Sequence, residues 1–475
     1  MIRGTRGSLD GRAVFVFPGQ GSQWAGMALD LLDVSPAFRQ HIEACERALA
    51  PHTDWRLTDV LRGLPGAASM DRVDVVQPVL FAVMVSLARL WQAHGIEPSA
   101  VIGHSQGEIA AAHIAGALTL EEAARIAALR SQAITRITGK GGMGHVALPQ
   151  DQVTERLTAW PGLSVAALNG PTSTVISGDT TALHDFLTTC ESDGIHTRTI
   201  PVDYASHSTH VEELHDELTT LLADITPQTS TIPFYSTVTG TLLDTRELTT
   251  EYWYTNLRET VRFHPTLTAL LHDGHTLYIE TSPHPVLTTP IQDTIENTTN
   301  TTTAAIGTLR RDEPGPTRFL TSLAQAHTHG TTPTWTTLNL QPHTDHLALP
   351  TYAFQHQHYW LDHSNSALGD VAAIGLSSAD HPLLGAAVGL ADADGVLLTG
   401  RLSLSTHPWL ADHGVLGTVL LPGTAFVELA IRAGDQVGCE HVDELTLEAP
   451  WSSRRPAAFS SSSRSVEPTR PAAVR

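Results

Sequence analysis

The stretch Val101-Ile-Gly-His-Ser-Gln-Gly-Glu-Ile-Ala-Ala-Ala-His113 decides how this chain is read. A short apolar run reaches Gly103-His-Ser-Gln-Gly107 and passes at once into an alanine-rich helical pattern. Gly-x-Ser-x-Gly at a strand-to-helix turn predicts a nucleophile elbow. The glycines tolerate a backbone too tight for a Cβ, and the serine hydroxyl is left standing clear of it. The helix that follows would aim its N-terminal N–H groups at Ser105, where negative charge develops if that serine attacks a carbonyl. Alone, the pentapeptide is weak, since a serine between glycines is commonly no more than a turn. The strand before it and the helix after it give it weight.

Upstream, Ala13-Val-Phe-Val-Phe17 predicts a buried strand that ends in Pro18-Gly-Gln-Gly-Ser-Gln23. A glycine-rich turn after a first strand allows close backbone approach to a ligand. A phosphate loop is excluded, because no Gly-Lys-Ser/Thr follows. Helical patterns run on to Leu61, from Val75 to His94, and from Glu121 to Thr138, with Arg130 embedded among Ala, Leu and Ile. Alternating strand and helix predicts an α/β body with a largely parallel sheet. Between 142 and 202 the texture changes. Short β-type runs (His145–Leu148, Ser164–Leu168, Thr174–Ser177, Thr197–Pro201) alternate with helical stretches Asp151–Trp160 and Thr181–Asp193. That strand-helix-strand-strand-helix-strand order predicts a ferredoxin-like subdomain inserted into the body. The body resumes with a helix after His207, then Phe234–Ser236, the segment around Asn256, and Thr276–Glu280.

With 475 residues the chain should hold more than one domain. A net charge of −21, from 28 basic and 49 acidic residues, argues against nucleic acid or an anionic membrane as partner. A cationic carrier surface, or simple solubility, fits it better. Three cysteines (Cys45, Cys190, Cys439) without metal-site spacing predict neither a disulfide framework nor a zinc site. No signal peptide follows the N-terminal arginines. The best apolar run, Pro78–Trp91, is interrupted by Ser86 and Arg89 and is expected not to span a bilayer. The expectation is a soluble cytoplasmic protein with no bound metal. Further on, Leu349-Pro-Thr-Tyr-Ala-Phe-Gln-His-Gln-His-Tyr-Trp-Leu361 is aromatic enough to dock on a folded surface. Residues 363–380 are a small-residue linker, and a strand-rich second domain with one helix at Pro422–Ala433 follows.

Gly19-Gln-Gly-Ser-Gln-Trp24, Gly103-His-Ser-Gln-Gly107, Tyr204-Ala-Ser-His207 and Leu349-Pro-Thr-Tyr-Ala-Phe354, in that order, make the chain resemble the acyltransferase domain of a modular type I polyketide synthase. His413-Gly-Val-Leu-Gly-Thr-Val-Leu-Leu-Pro422 similarly resembles the His-x3-Gly-x4-Pro motif of the dehydratase domain in such modules. The resemblance implies an α/β-hydrolase-like core over 12–308 and a post-acyltransferase linker over 309–362. An incomplete hot-dog (α+β) fragment of dehydratase over 381–450 would follow. The arginine- and serine-rich segment 451–475 is expected to be a frame-shifted or disordered tail.

For the site, the resemblance implies Ser105 as nucleophile and His207 as its base, with the oxyanion between the backbone N–H groups of Gln20 and Gln106. Arg130 would hold a free substrate carboxylate through its planar fork. Asn256, in Trp253-Tyr-Thr-Asn-Leu257, marks where a backbone carbonyl orients the imidazole. Malonyl-selective members carry His-Ala-Phe-His where this chain has Tyr204-Ala-Ser-His207. A phenylalanine at 206 would fill the space of a C2 methyl, so Ser206, with Tyr204 and Gln106, favours methylmalonyl. The donor would be methylmalonyl-CoA. The acceptor would be the phosphopantetheine thiol of an acyl carrier protein, among other synthase domains such as a ketosynthase, and the chain itself would bind no cofactor. His413 would be a vestigial dehydratase base lacking the aspartate of a second hot-dog half, hence inactive. The alternatives are a malonyl-selective transferase, a non-functional truncated fragment, and an esterase or thioesterase built on the same elbow.

Overall fold

A computed structural model describes residues 11–298, 303–338, 371–391, 395–453 and 459–464. They fall into two compact units divided between 344 and 345. In the first, β1 (Ala13–Phe17) leads into α1 (Leu29–Val34), α2 (Pro36–Leu49), α3 (Leu57–Arg62) and α4 (Val73–Ala93). Then come β2 (Ala100–Gly103), α5 (Gly107–Ala115) and α6 (Leu120–Ile134). The inserted segment supplies β3 (Gly141–Val146), α7 (Gln150–Leu157), β4 (Leu163–Gly170), β5 (Ser173–Asp179), α8 (Thr180–Ser192) and β6 (Thr197–Ile200). The body returns with α9 (His215–Leu221), β7 (Phe234–Ser236), β8 (Thr241–Leu243), α10 (Thr250–Arg258), α11 (Phe263–His272), β9 (Leu277–Glu280), α12 (Thr288–Thr298), β10 (Ala304–Gly307) and α13 (Gly315–Thr328).

The body sheet has six strands in the order β10-β9-β1-β2-β7-β8, parallel throughout except for β8. β1 is central and buried at every residue. Its alternation sends Phe15 and Phe17 into one core with α2, α4, α5 and α6, and Val14 and Val16 into another with α11, α12 and the insert. α4 is long and apolar enough to cross a bilayer, contrary to the expectation that Ser86 and Arg89 interrupt it. Ser86 returns its hydroxyl to Ala82 O at 2.7 Å within the helix, and nearly the whole helix is buried in the protein.

The insert is a four-stranded antiparallel sheet in the order β4-β5-β3-β6, the ferredoxin-like order that the sequence predicts. It has a core of its own, built on Val146, Val153, Ile176, Leu183 and Phe186. The boundary expected at 308 falls inside the first unit. Leu309, Phe319, Leu323 and Ala326 are buried in its main core, and Phe319 packs edge-on against Trp91 at 5.1 Å. The tyrosine- and tryptophan-rich segment 349–361 lies outside the described residues.

In the second unit, β11 (Ser377–His381), β12 (Leu384–Gly389) and β13 (Val396–Leu402) precede the pair β14 (Gly414–Val415) and β15 (Thr418–Leu420) and the helix α14 (Gly423–Gln436). β11 begins inside the stretch expected to be linker. Two further strands lie in the described part of 451–475, where a frame-shifted or disordered tail is expected. β16 (Ser452–Ser453) pairs with β15, and β17 (Phe459–Arg464) pairs antiparallel with β13 across its whole length. Sheet pairing is made by main-chain groups, so a serine-rich segment without apolar periodicity can still close an open edge. Residues 465–475 lie outside the described residues.

The separate core of the insert makes its stability separable. Phe186, 1% exposed and edge-on to Trp160 at 5.9 Å, is expected on replacement by alanine to cost about 3–5 kcal/mol. Hydrogen exchange should then accelerate across 141–200 while β1 and β2 stay protected. Equal acceleration in both would show one cooperative unit instead.

Candidate active site

The turn between β2 and α5 is built by two close approaches. A Cβ on Gly107 would stand 2.0 Å from Phe17 O, and one on Gly103 would stand 2.2 Å from Glu108 N. Only glycine lets α5 start directly against the end of β1. Between them Ser105 takes φ +54°, the left-handed region that non-glycine residues rarely enter. Gly19 lies against the same turn, where a Cβ would come 3.3 Å from His104 O. The glycine-rich turn after β1 is thus packed on the elbow. Neither the Gln20 nor the Gln106 N–H is used in main-chain bonding among the described residues.

Ser105 Oγ is 2.8 Å from His207 Nε2. His207 is 4% exposed, adopts φ +59° and donates its N–H to Leu257 O at 2.9 Å. Its Nδ1 lies 2.7 Å from Glu259 O, a pure acceptor, so the ring carries its proton on Nδ1 and offers the Nε2 lone pair to the serine. Burial, then the nearby Arg130 charge, pulls the imidazole down to about 3. The base is neutral.

This geometry corrects the role expected of Asn256. The orienting carbonyl is that of Glu259, the first residue beyond α10, where the chain has turned extended. Asn256 is instead a side-chain bridge. Its Nδ2 donates to Ser105 O at 3.2 Å and to Glu108 Oε2 at 2.9 Å, and its Oδ1 accepts from Arg130 Nη2 at 3.1 Å.

Arg130, from α6, is 1% exposed. Among the described residues its partners are neutral amides, Asn256 and, at 3.4 Å, Gln77 Oε1, and its Nε–H has none. Burial lowers its pKa to about 10, opposed by Tyr204 and Glu108, so it stays cationic at neutral pH. A buried guanidinium with an unspent donor is a place prepared for an anion. Tyr204 and Ser206, close before His207 in sequence, are buried, and the Tyr204 hydroxyl donates to Gln20 Oε1 at 2.7 Å. Burial raises that phenol to about 12, which keeps it a neutral donor.

Ser105, His207, Arg130, Tyr204, Gln20 and Asn256 are therefore joined by hydrogen bonds or direct neighbours in one site. Two members escaped sequence reading. Glu108 is a polar residue set in an apolar helix, a visible anomaly. The Glu259 contribution is main-chain and leaves no side-chain signal. In the second unit His413 is exposed, with Nδ1 3.0 Å from Leu420 O.

The acyl transferase domain family model matches residues 14–333, and the polyketide synthase dehydratase domain model matches 381–460. The chain is 56% identical over 452 residues to the pikromycin polyketide synthase component PikAII of Streptomyces venezuelae, covering 95% of this chain and 12% of that one. It is 50% identical over 454 residues to mycoketide-CoA synthase of Mycobacterium tuberculosis, covering 95% of this chain and 11% of that one. The chain thus spans about a tenth of the length of these relatives. Among solved structures, it resembles the acyltransferase domain from module 8 of the salinomycin polyketide synthase. The match has 54% identity and a TM-score of 0.68, over 70% of this chain and 79% of that one. A loading acyltransferase from the avermectin modular polyketide synthase matches at 49% identity and TM-score 0.64, over 66% of this chain and 99% of that one. An elbow serine bonded to a carbonyl-oriented histidine, on this fold and with these relatives, makes the chain a member of the polyketide synthase acyltransferase family, followed by an N-terminal portion of a dehydratase domain.

Proposed function

We propose that this chain loads an extender unit, methylmalonyl in preference to malonyl, from CoA onto the phosphopantetheine thiol of an acyl carrier protein. It would do so in the cytoplasm, beside the ketosynthase and other domains of a synthase. Ser105 Oγ attacks the thioester carbonyl as its proton passes to His207 Nε2. The oxyanion is held by the N–H groups of Gln20, in the turn after β1, and Gln106, at the start of α5. Collapse expels the CoA thiolate, which takes the proton back from His207 and leaves an acyl-serine. The carrier thiol then enters, gives its proton to His207, attacks the acyl carbonyl, and departs as the new thioester while Ser105 recovers its proton.

The observation that carries this reading is the Asn256 bridge, which bonds the Ser105 carbonyl on one side and Arg130 on the other. An acyl group whose far end is a carboxylate would be held at both ends at once. A donor lacking that carboxylate leaves the buried cation unpaired, a loss on the order of 3–5 kcal/mol. The preference for methylmalonyl is supported by the small Ser206 side chain, and a single methyl is worth about 1–3 kcal/mol, so some malonyl transfer is expected. Hydrolysis as an esterase would need water at the acyl-serine, and no observation favours it over the carrier thiol.

Intact mass after brief incubation with methylmalonyl-CoA, malonyl-CoA or acetyl-CoA is expected to give a methylmalonyl adduct that outcompetes malonyl. The adduct should be absent in Ser105→Ala, and Ser206→Phe should move the preference toward malonyl. A wild-type malonyl preference would discard the role of Ser206, and no adduct from any donor would discard the function.

The lowered pKa of His207 supports a base that works without prior deprotonation. Its imidazole NMR signals are expected to stay those of the neutral Nδ1–H tautomer from pH 8 to pH 5. Because the folded pKa lies below the value of about 6.5 for an unfolded histidine, its contribution to stability is full above pH 6.5 and declines as pH falls toward 3. A titration near 6.5 would refute the assignment.

His413 bonds the Leu420 carbonyl, and among the described residues no carboxylate bonds it; dehydratase action in this chain is not expected. Incubation with a 3-hydroxyacyl thioester is expected to yield no enoyl product, and measurable product would overturn this.

A further inference from the structure

The proposed reaction leaves Glu108 without a task, yet it is fully buried in the first turn of α5. Both carboxylate oxygens face donors. Oε1 accepts from the Thr237 N–H and, at 2.8 Å, from Thr237 Oγ1, while Oε2 accepts from Tyr252 Oη at 2.7 Å and Asn256 Nδ2 at 2.9 Å. An acceptor-only group surrounded by donors fixes the sense of each bond.

The consequence reaches Asn256. Its amide nitrogen has two hydrogens, spent on Glu108 and on Ser105 O, so its oxygen must face Arg130. Turned over, the amide would set N–H against the guanidinium, donor against donor. We propose that Glu108 is a positioning residue that fixes the Asn256 amide, so that Arg130 is held in register with the Ser105 elbow and the site selects acyl groups bearing a carboxylate. This rests on the reading of Arg130 as the carboxylate site. Burial raises the Glu108 pKa to about 7 and the hydrogen bonds from Tyr252, Thr237 and Asn256 oppose that rise, so the acceptor-only carboxylate of this arrangement is the form that prevails above pH 7. In Glu108→Gln an NH2 group would face donors, and the mismatch is relieved most simply by turning the Asn256 amide over.

Methylmalonyl-CoA and propionyl-CoA differ only in the carboxylate, so single-turnover acylation with both separates positioning from general structure. Wild type should favour methylmalonyl-CoA, and Arg130→Ala should erase the preference. Glu108→Gln should lower the methylmalonyl rate roughly tenfold or more beyond any fall with propionyl-CoA, and Asn256→Ala should change the ratio in the same direction. Thermal unfolding checks that each variant is folded, and Asn256→Ala decides alone if Glu108→Gln is not. Equal falls with both donors in the folded variants, or an unchanged ratio, would overturn the proposal. A wild type without preference, or Arg130→Ala retaining it, would instead sink the carboxylate reading of Arg130.

Discussion

The site depends on holding a neutral imidazole close to a buried guanidinium. Burial, and after it Arg130, depresses the His207 pKa, and the Glu259 carbonyl orients the ring without adding charge. A carboxylate in place of that carbonyl would favour the imidazolium and so raise the imidazole pKa. The carbonyl therefore does two things that a carboxylate could not do together: it fixes the tautomer and leaves the ring neutral. The carboxylate that the site does contain, Glu108, is turned to Thr237, Tyr252 and Asn256 and is linked by hydrogen bonds to Arg130 through the amide bridge.

Holding that arrangement takes both layers of the first unit. The ferredoxin-like insert is tied to the body on either side of the nucleophile. Asn169 Oδ1, at the end of β4, meets His104 Nε2 at 2.8 Å, and Ser177 Oγ, in β5, donates to His207 O at 3.3 Å. β4 also exchanges main-chain bonds with Val261, two residues beyond the orienting carbonyl of Glu259. The segment after α10 is thus pinned on both sides: by the insert at Val261 and by His207 at Leu257 and Glu259. A shift of the insert would move the base.

Legibility in the sequence followed the physical origin of each feature. β1, β2 and the elbow were readable because a buried parallel strand is apolar at every position and the turn needs glycine at Gly103 and Gly107. The insert was readable from the order of its elements, since short antiparallel strands keep their alternation. Ser105 was named because the elbow marks it, and His207 and Arg130 because the resemblance to the family points to them. Asn256 was named for the wrong reason: a residue type shows in the sequence, whereas the carbonyl that binds His207 belongs to Glu259 and any residue there would supply it. The pairing of 459–464 with β13 was missed for the same reason, because main-chain edges recruit partners without regard to side-chain pattern.

The remaining question is why the Ser105–His207 bond is made by two residues that both sit at positive φ, +54° and +59°. Each such backbone costs on the order of 1–3 kcal/mol and persists only where its surroundings over-determine it. At Ser105 the surroundings are the contact of α5 with β1 and the Asn256 amide on its carbonyl. At His207 they are Leu257 O on its N–H, Ser177 Oγ on its carbonyl and Glu259 O on its ring. Neither residue could be glycine without losing its side chain, and neither could relax to negative φ without swinging that side chain away from the other. The strain is therefore spent on direction: two side chains leave their backbones at angles that an ordinary turn would not give, and meet at 2.8 Å.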